Sequence, residues 1–254
     1  MNIPGRKADV EITHNVKEKF YPNGMSKITV CNRPIFREPD YFAVEPLTNT
    51  DLPEKISKPK NMLNDVRDDN LKRAREKVFD IAYCNDFDYF VTWTLDSSKI
   101  NRYDPKEVSK KLQKFLKNKV QRNRMKYLVI PEHHKDGAIH MHGLISGNFN
   151  LLDSGHKTER GATIYNMPEW TWGYSTAIET DHNVGRIAHY ITKYITKDFR
   201  KIFGKFYYAG GEIVRQAPVK LYDVDYGSVN EKEYTIEAAR LGFKYMTVGG
   251  ESNV

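Results

Sequence analysis

Residues 127–146 read Tyr127-Leu128-Val129-Ile130-Pro131-Glu132-His133-His134-Lys135-Asp136-Gly137-Ala138-Ile139-His140-Met141-His142-Gly143-Leu144-Ile145-Ser146. Two apolar runs flank a polar segment that ends in glycine, the pattern of a β-hairpin with strands over 127–132 and 138–146. Side chains alternate along a strand, so His140 and His142 share a face and Met141 takes the other; the two imidazoles stand about 6–7 Å apart. If Lys135-Asp136-Gly137 is the loop, position 132 pairs with 140 and 130 with 142. Glu132 then stands across from His140 on the same face. Two histidines and one carboxylate leave open coordination positions, as a catalytic divalent ion requires. A slip of one residue turns Glu132 away and brings His133 round. For the His-x-His pattern alone, a pair of hydrogen-bonded strand histidines is the plainer account.

Upstream, Phe87–Leu95 is dense in aromatic and β-branched residues and reads as a buried strand. Asp104-Pro105-Lys106-Glu107 then supplies an N-cap, a proline at the first helical position and a capping-box glutamate. Val108, Leu112, Phe115, Leu116 and Val120 form the apolar stripe of the helix that follows. Helical spacing also covers 61–84. Tyr174–Glu179 is a further strand, and Asn183 to Asp198 a helix with Val184, Ile187, Ala188, Ile191 and Ile195 inward. The order strand, helix, strand, strand, strand, helix predicts an α+β fold, a mainly antiparallel sheet with packed helices. Residues 1–60 hold seven of the eleven prolines. They read as an extended N-terminal arm, with a turn at Tyr21-Pro22-Asn23-Gly24 leading into a short strand at 27–30.

The chain has 254 residues, a formal charge of +7, and 39 % hydrophobic residues, enough to bury a core and exclude wholesale disorder. No apolar run approaches the length of a membrane span and no apolar signal region opens the chain, so a cytoplasmic protein is expected. Two cysteines exclude a disulfide framework or a zinc–thiolate cluster. Between Lys99 and Lys126 eleven Lys and Arg face two carboxylates, a local +9 that leaves −2 for the rest of the chain. A solvated helix face commonly explains such a run; a polyanion is the other reading, with Lys110, Lys111, Lys114, Lys117, Arg122 and Arg124 as candidate DNA contacts.

Tyr190-Ile191-Thr192-Lys193-Tyr194-Ile195-Thr196-Lys197 repeats Tyr-x-x-Lys at a spacing of four. On a helix Tyr190 and Tyr194 lie about 40° apart, bordering the apolar stripe, and Lys197 falls about 20° to the other side of Tyr190. Such tyrosines are usually packing. A phenol is a poor nucleophile unless a metal or cation assists it, and both are candidates here.

Taken in order, these pieces resemble the HUH endonucleases that initiate rolling-circle replication. Phe90-Val91-Thr92-Trp93-Thr94-Leu95 is similar to the family's first motif, His140-Met141-His142 to its His–hydrophobic–His motif, and the Tyr-x-x-Lys repeat to the tyrosine motif of phage-type, two-tyrosine initiators. The resemblance covers residues 61–210, which it makes the endonuclease domain (leading helix 61–84, core 87–199), with 211–254 a C-terminal extension. It implies a ferredoxin-like (RRM-like) sheet, a Mg²⁺ or Mn²⁺ ion held by His140, His142 and Glu132, and a metal-dependent endonuclease and strand transferase for single-stranded DNA at an origin. Tyr190 or Tyr194 would attack to give a 5′-phosphotyrosine and a free 3′-OH primer, with Lys193 or Lys197 stabilising charge on the phosphate. No Gly-x-x-x-x-Gly-Lys-Ser/Thr occurs, so a helicase and a polymerase would come from the host cell, bacterial for a phage- or plasmid-encoded protein. Use of one tyrosine or two stays open. The rival readings are a related transposase or relaxase, a non-catalytic domain binding single-stranded nucleic acid, and a structural zinc site.

Overall fold

A computed structural model describes residues 12–37, 68–197, 202–223, 235–239 and 243–248. In chain order its elements are β1 (Ile12–Phe20), β2 (Ser26–Arg37), α1 (Asp68–Cys84), β3 (Tyr89–Thr94), α2 (Pro105–Asn123), β4 (Lys126–His133), β5 (Ile139–Ser146), β6 (Leu152–Lys157), β7 (Thr163–Asn166), β8 (Ser175–Glu179), α3 (Val184–Lys197), β9 (Tyr208–Gly210), β10 (Val219–Tyr222), β11 (Thr235–Ala239) and β12 (Phe243–Val248). The α+β class, with antiparallel sheets and packed helices, is as the sequence pattern predicts, and it is compatible with a ferredoxin-like arrangement. Among the described residues no helix is long and apolar enough to cross a membrane.

Cα packing divides the chain into two units, 1–63 with 218–254, and 64–217. In the first, an antiparallel sheet runs β10-β1-β2-β12-β11. The described part of the N-terminal segment, 12–37, is thus a hairpin rather than an extended arm, and strand signals reach well beyond 27–30. Its prolines mislead for a physical reason. Pro34 lies in the stretch 31–34 that has no β1 partner, where a missing N–H costs no ladder bond. The rest of residues 1–60 lies outside the described residues, as do 61–67 of the expected leading helix.

The second unit holds an antiparallel sheet in the order β6-β7-β8-β3-β5-β4-β9. Odd-numbered residues of its central strands, among them Val91, Trp93, Val129, Met141 and Ile145, pack beneath α2 through Val108, Leu112, Phe115 and Leu116. Even-numbered Leu128, Ile130 and Leu144 meet Val78, Ile81 and Ala82 of α1 and Ala188, Ile191 and Ile195 of α3. Each such aliphatic side chain contributes about 1.5–3 kcal/mol on burial, so both layers are held by apolar packing. Asp104 caps α2 as expected, accepting from Lys106 N at 2.9 Å. Glu107 does not reach back to complete a capping box; it pairs with Lys111 one turn on, at 2.9 Å.

The strand pairing leaves no room at Gly173. Thr94 N donates to Tyr174 O (2.9 Å) and Asp96 N to Trp172 O (2.8 Å), and a Cβ on Gly173 would run into the Thr94 carbonyl oxygen. At the start of α3, a Cβ on Gly185 would meet the Tyr83 ring and hydroxyl at 3.5 Å and Asn183 Oδ1 at 3.7 Å, all ordinary van der Waals contacts. Also at this end, His182 Nδ1 lies 2.7 Å from Asp86 Oδ1, and the hydrogen bond to that carboxylate raises the His182 pKa above its ordinary value.

Two outcomes follow from this packing. Gly173→Ala destabilises by about 1–3 kcal/mol through overpacking, whereas Gly185→Ala is neutral or stabilises by up to about 1 kcal/mol through the unfolded chain; urea unfolding midpoints check the opposite signs. The raised histidine contributes stability that is fully present below its unfolded pKa of about 6.5 and is lost as pH rises through the folded value. The stability difference between wild type and His182→Gln is therefore larger near pH 6 than near pH 9, roughly the two sides of that titration.

Candidate active site

The loop between β4 and β5 closes with His134 N donating to Ala138 O and Gly137 N to His134 O, both at 2.8 Å, and Gly137 takes φ 85°. That three-residue loop sets the register Glu132↔His140 and Ile130↔His142. β3 lies on the other side of β5, pairing Thr92↔His142 and Thr94↔His140. Glu132, His140, His142, Phe90 and Thr92 therefore share the face that carries α1 and α3.

Glu132 Oε2 lies 3.0 Å from His142 Nε2, and both side chains are largely shielded, at 12 % and 14 % exposure. Thr92 Oγ1 lies 3.2 Å from His142 Nδ1. A hydroxyl both donates and accepts, so it serves either tautomer: Nδ1–H toward Thr92 frees the Nε2 lone pair, and Nε2–H toward Glu132 leaves Nδ1 to accept. His140 lies apart from this pair and stacks on His134, ring centroids 4.8 Å apart. Burial, with help from neighbouring His134, lowers the His140 pKa and so favours the neutral imidazole. His134 in turn bonds Asp136 (Nδ1 to Oδ1, 3.3 Å), and Asp136 holds Arg102 at 3.0 Å.

The tyrosines enter from α3. Burial of Ala188, Ile191 and Ile195 fixes the rotation of this helix and turns Tyr190 and Tyr194 toward the histidine edge of the sheet. The Tyr194 ring stacks on His142 at 3.9 Å between centroids and 21° between planes. Phe90 completes the cluster, 5.1 Å from the Tyr190 ring and 6.0 Å from that of Tyr194. Tyr194 OH donates to Tyr190 OH at 3.0 Å. Tyr194 is half-buried, and its pKa is pushed far up, first by desolvation and then by its bond to Tyr190 and the nearby Glu132 charge. Tyr190 is 44 % exposed, and Lys193 Nζ sits 5.4 Å from the centroid of its ring. Lys197 ends α3, and its side chain lies outside the described residues.

The donor set suits a hard or borderline divalent cation. A carboxylate oxygen and an imidazole nitrogen 3.0 Å apart match two neighbouring ligands, each about 2.1 Å from one ion. Among the described residues no three His, Cys, Asp or Glu side chains are gathered at one point. His140 would have to leave its stack on His134 to join the other two.

Of the six basic residues named for DNA contact, five are on α2 and Arg124 is its C-cap, all on the helix across the sheet from the histidines. They are not part of this site. Trp170 is core, stacked on Trp93 at 4.9 Å between centroids. The site gains Phe90 and Thr92 as contacts of the ligand and tyrosine side chains. Both lie in the quoted β3 motif, and strand alternation is the signal that places them beside the histidines.

Comparison with curated proteins and with solved structures gives no match. Residues 88–199 match the family model described as Replication-associated protein ORF2. That match spans the elements carrying Glu132, His140, His142, Tyr190 and Tyr194, and it supports a Rep-type protein of the rolling-circle replication-initiator class.

Proposed function

We propose that the chain nicks and rejoins single-stranded DNA at a replication origin, with Tyr190 or Tyr194 forming a 5′-phosphotyrosine bond and leaving a 3′-OH that primes synthesis. The observation that carries this reading is the stack of Tyr194 on His142, with Tyr194 OH bonded to Tyr190 OH. It puts two candidate nucleophiles beside the candidate metal ligands. Glu132, His140 and His142 would hold Mg²⁺ or Mn²⁺, whose contribution when bound is to polarise the scissile phosphate.

The remaining chemistry falls to the chain's own residues. The attacking phenol forms the new P–O bond as the 3′ oxygen leaves, and its proton must go to a neighbour or to water. Tyr194, held protonated by burial, donates a hydrogen bond to the Tyr190 oxygen. The two phenols one helical turn apart can address the same phosphate, as cleavage followed by rejoining requires. Lys193 beside Tyr190 contributes positive charge near the phosphoryl oxygens. A helicase and a polymerase supplied by the host complete the replication reading.

Two measurements test it. Incubated with labelled single-stranded origin oligonucleotides and Mn²⁺, the protein forms a covalent adduct that survives a denaturing gel. EDTA abolishes it, His142→Ala lowers its rate by about 10²-fold or more, and Tyr190→Phe with Tyr194→Phe eliminates it. Adduct persisting in the double variant sinks the nucleophile assignment, and binding without adduct on any substrate favours a non-catalytic module. Separately, Thr92→Val weakens the apparent Mn²⁺ affinity by about 10–100-fold, the usual cost of removing a hydrogen bond to a ligating imidazole. A metal titration of adduct formation checks this; an unshifted curve removes Thr92 from the site.

A further inference from the structure

The groove on the α2 face of the sheet belongs to neither the histidines nor the tyrosines. Two open hollows, of about 920 and 820 Å³, meet at Gln113 and run along α2, with residues 202–215 forming the opposite wall. The helix lines them with Lys106, Lys110, Gln113, Lys117 and Gln121, one stripe at spacings of three and four. From Lys106 to Lys117 this stripe covers about 17 Å of helix.

A lysine stripe alone is commonly a solvated face. Here a second element independently brings the same charge: Lys205 and Arg215 line the groove from the facing wall. Arg215 Nη2 donates to Ala209 O at 2.9 Å, which anchors the guanidinium while leaving its other N–H groups for a ligand. Against these five cations the lining contains, among the described residues, one carboxylate, that of Asp104, already bonded to the helix N-terminus at Lys106 N. The walls also carry aromatic surface. Half-buried Phe203 lines the first hollow and half-buried Phe206 the second, whereas Tyr208 is buried and holds Lys205 Nζ 5.5 Å from the centroid of its ring. Cations from both sides with aromatic rings between them are what an unpaired strand requires, phosphates on the charges and bases against the rings.

We propose that this groove is a second binding site for single-stranded DNA, holding the strand away from the tyrosines on the other side of the sheet. The proposal rests on the strand-processing reading only for the identity of the polymer. Binding there needs no divalent ion and no cleavage.

The test is fluorescence anisotropy with labelled oligo(dT) across a salt series in EDTA, where nicking cannot occur, using the full chain. Neutralising three groove cations (Lys110→Gln, Lys117→Gln, Lys205→Gln) removes three phosphate contacts. At about −0.7 per contact for single strands, the slope of log K against log salt becomes shallower by about 2, and affinity near 0.1 M salt falls by about 100-fold. Neutralising three exposed cations of α1 (Lys72→Gln, Arg73→Gln, Arg75→Gln) leaves the slope in place. An unchanged slope in the groove variant overturns the proposal, as does an equal loss in the α1 variant. So does a duplex competitor that displaces oligo(dT) as well as oligo(dT) itself does. Because these readings are taken without metal, they stand whether or not the adduct assay succeeds.

Discussion

The hydrogen bonds from His134 N to Ala138 O and from Gly137 N to His134 O close a three-residue loop, and this closure decides which residues of β4 and β5 stand opposite one another. A strand has a period of two, so moving the pairing by one residue exchanges the two faces of the sheet. Here both faces are buried by helices, and such a slip of β5 would send Met141 and Ile145 to the α1/α3 side and His140 and His142 into the Trp93 core. The cost of burying those polar groups without partners makes the observed register the stable one. Gly137 is needed for it, because the loop places that residue at a positive φ, where other residues are strained.

With the faces fixed, the site is assembled by contact of unlike elements. The helix α3 is positioned by Ala188, Ile191 and Ile195, residues with no chemistry of their own. Their burial determines that Tyr194 covers His142 and that Tyr190 stays at the margin. Packing thus separates two identical side chains into a shielded proton donor and an exposed acceptor. Burial beside His134 favours the neutral form of the His140 imidazole, the form a cation requires.

Sequence made some of this legible and hid the rest. Glu132, His140 and His142 could be placed on one face because a hairpin loop and a period of two leave few alternatives. The tyrosine spacing likewise follows from helix geometry. What the pattern could not supply was the rotation of α3 against the sheet, and hence that Tyr194 stacks on His142 while His140 turns to His134. Those contacts join residues about fifty positions apart in one case and six in the other, and local spacing speaks to neither. β1 was invisible for another reason: polar His14 and Asn15 and charged Lys17, Glu18 and Lys19 separate its strand formers Ile12, Thr13, Val16 and Phe20 and mask the alternation. Conversely, α2 was plain, because its cap, proline and apolar stripe all lie within one segment.

The net charge of +7 follows the same division between faces. Its concentrated part lies on α2, which the odd-numbered side chains of the sheet hold on the side away from the histidines. Coulomb attraction between exposed charges and phosphate is screened within about 10 Å at 0.1 M salt, so lysines on that side contribute little to the phosphate at the tyrosines. On the two proposals above, a strand cut on one face of the sheet and gripped on the other would have to pass around its edge. Affinity and chemistry would then be carried by different layers of side chains. Mutations in one can alter salt dependence while those in the other alter cleavage, and the apolar sheet between them keeps the two separable.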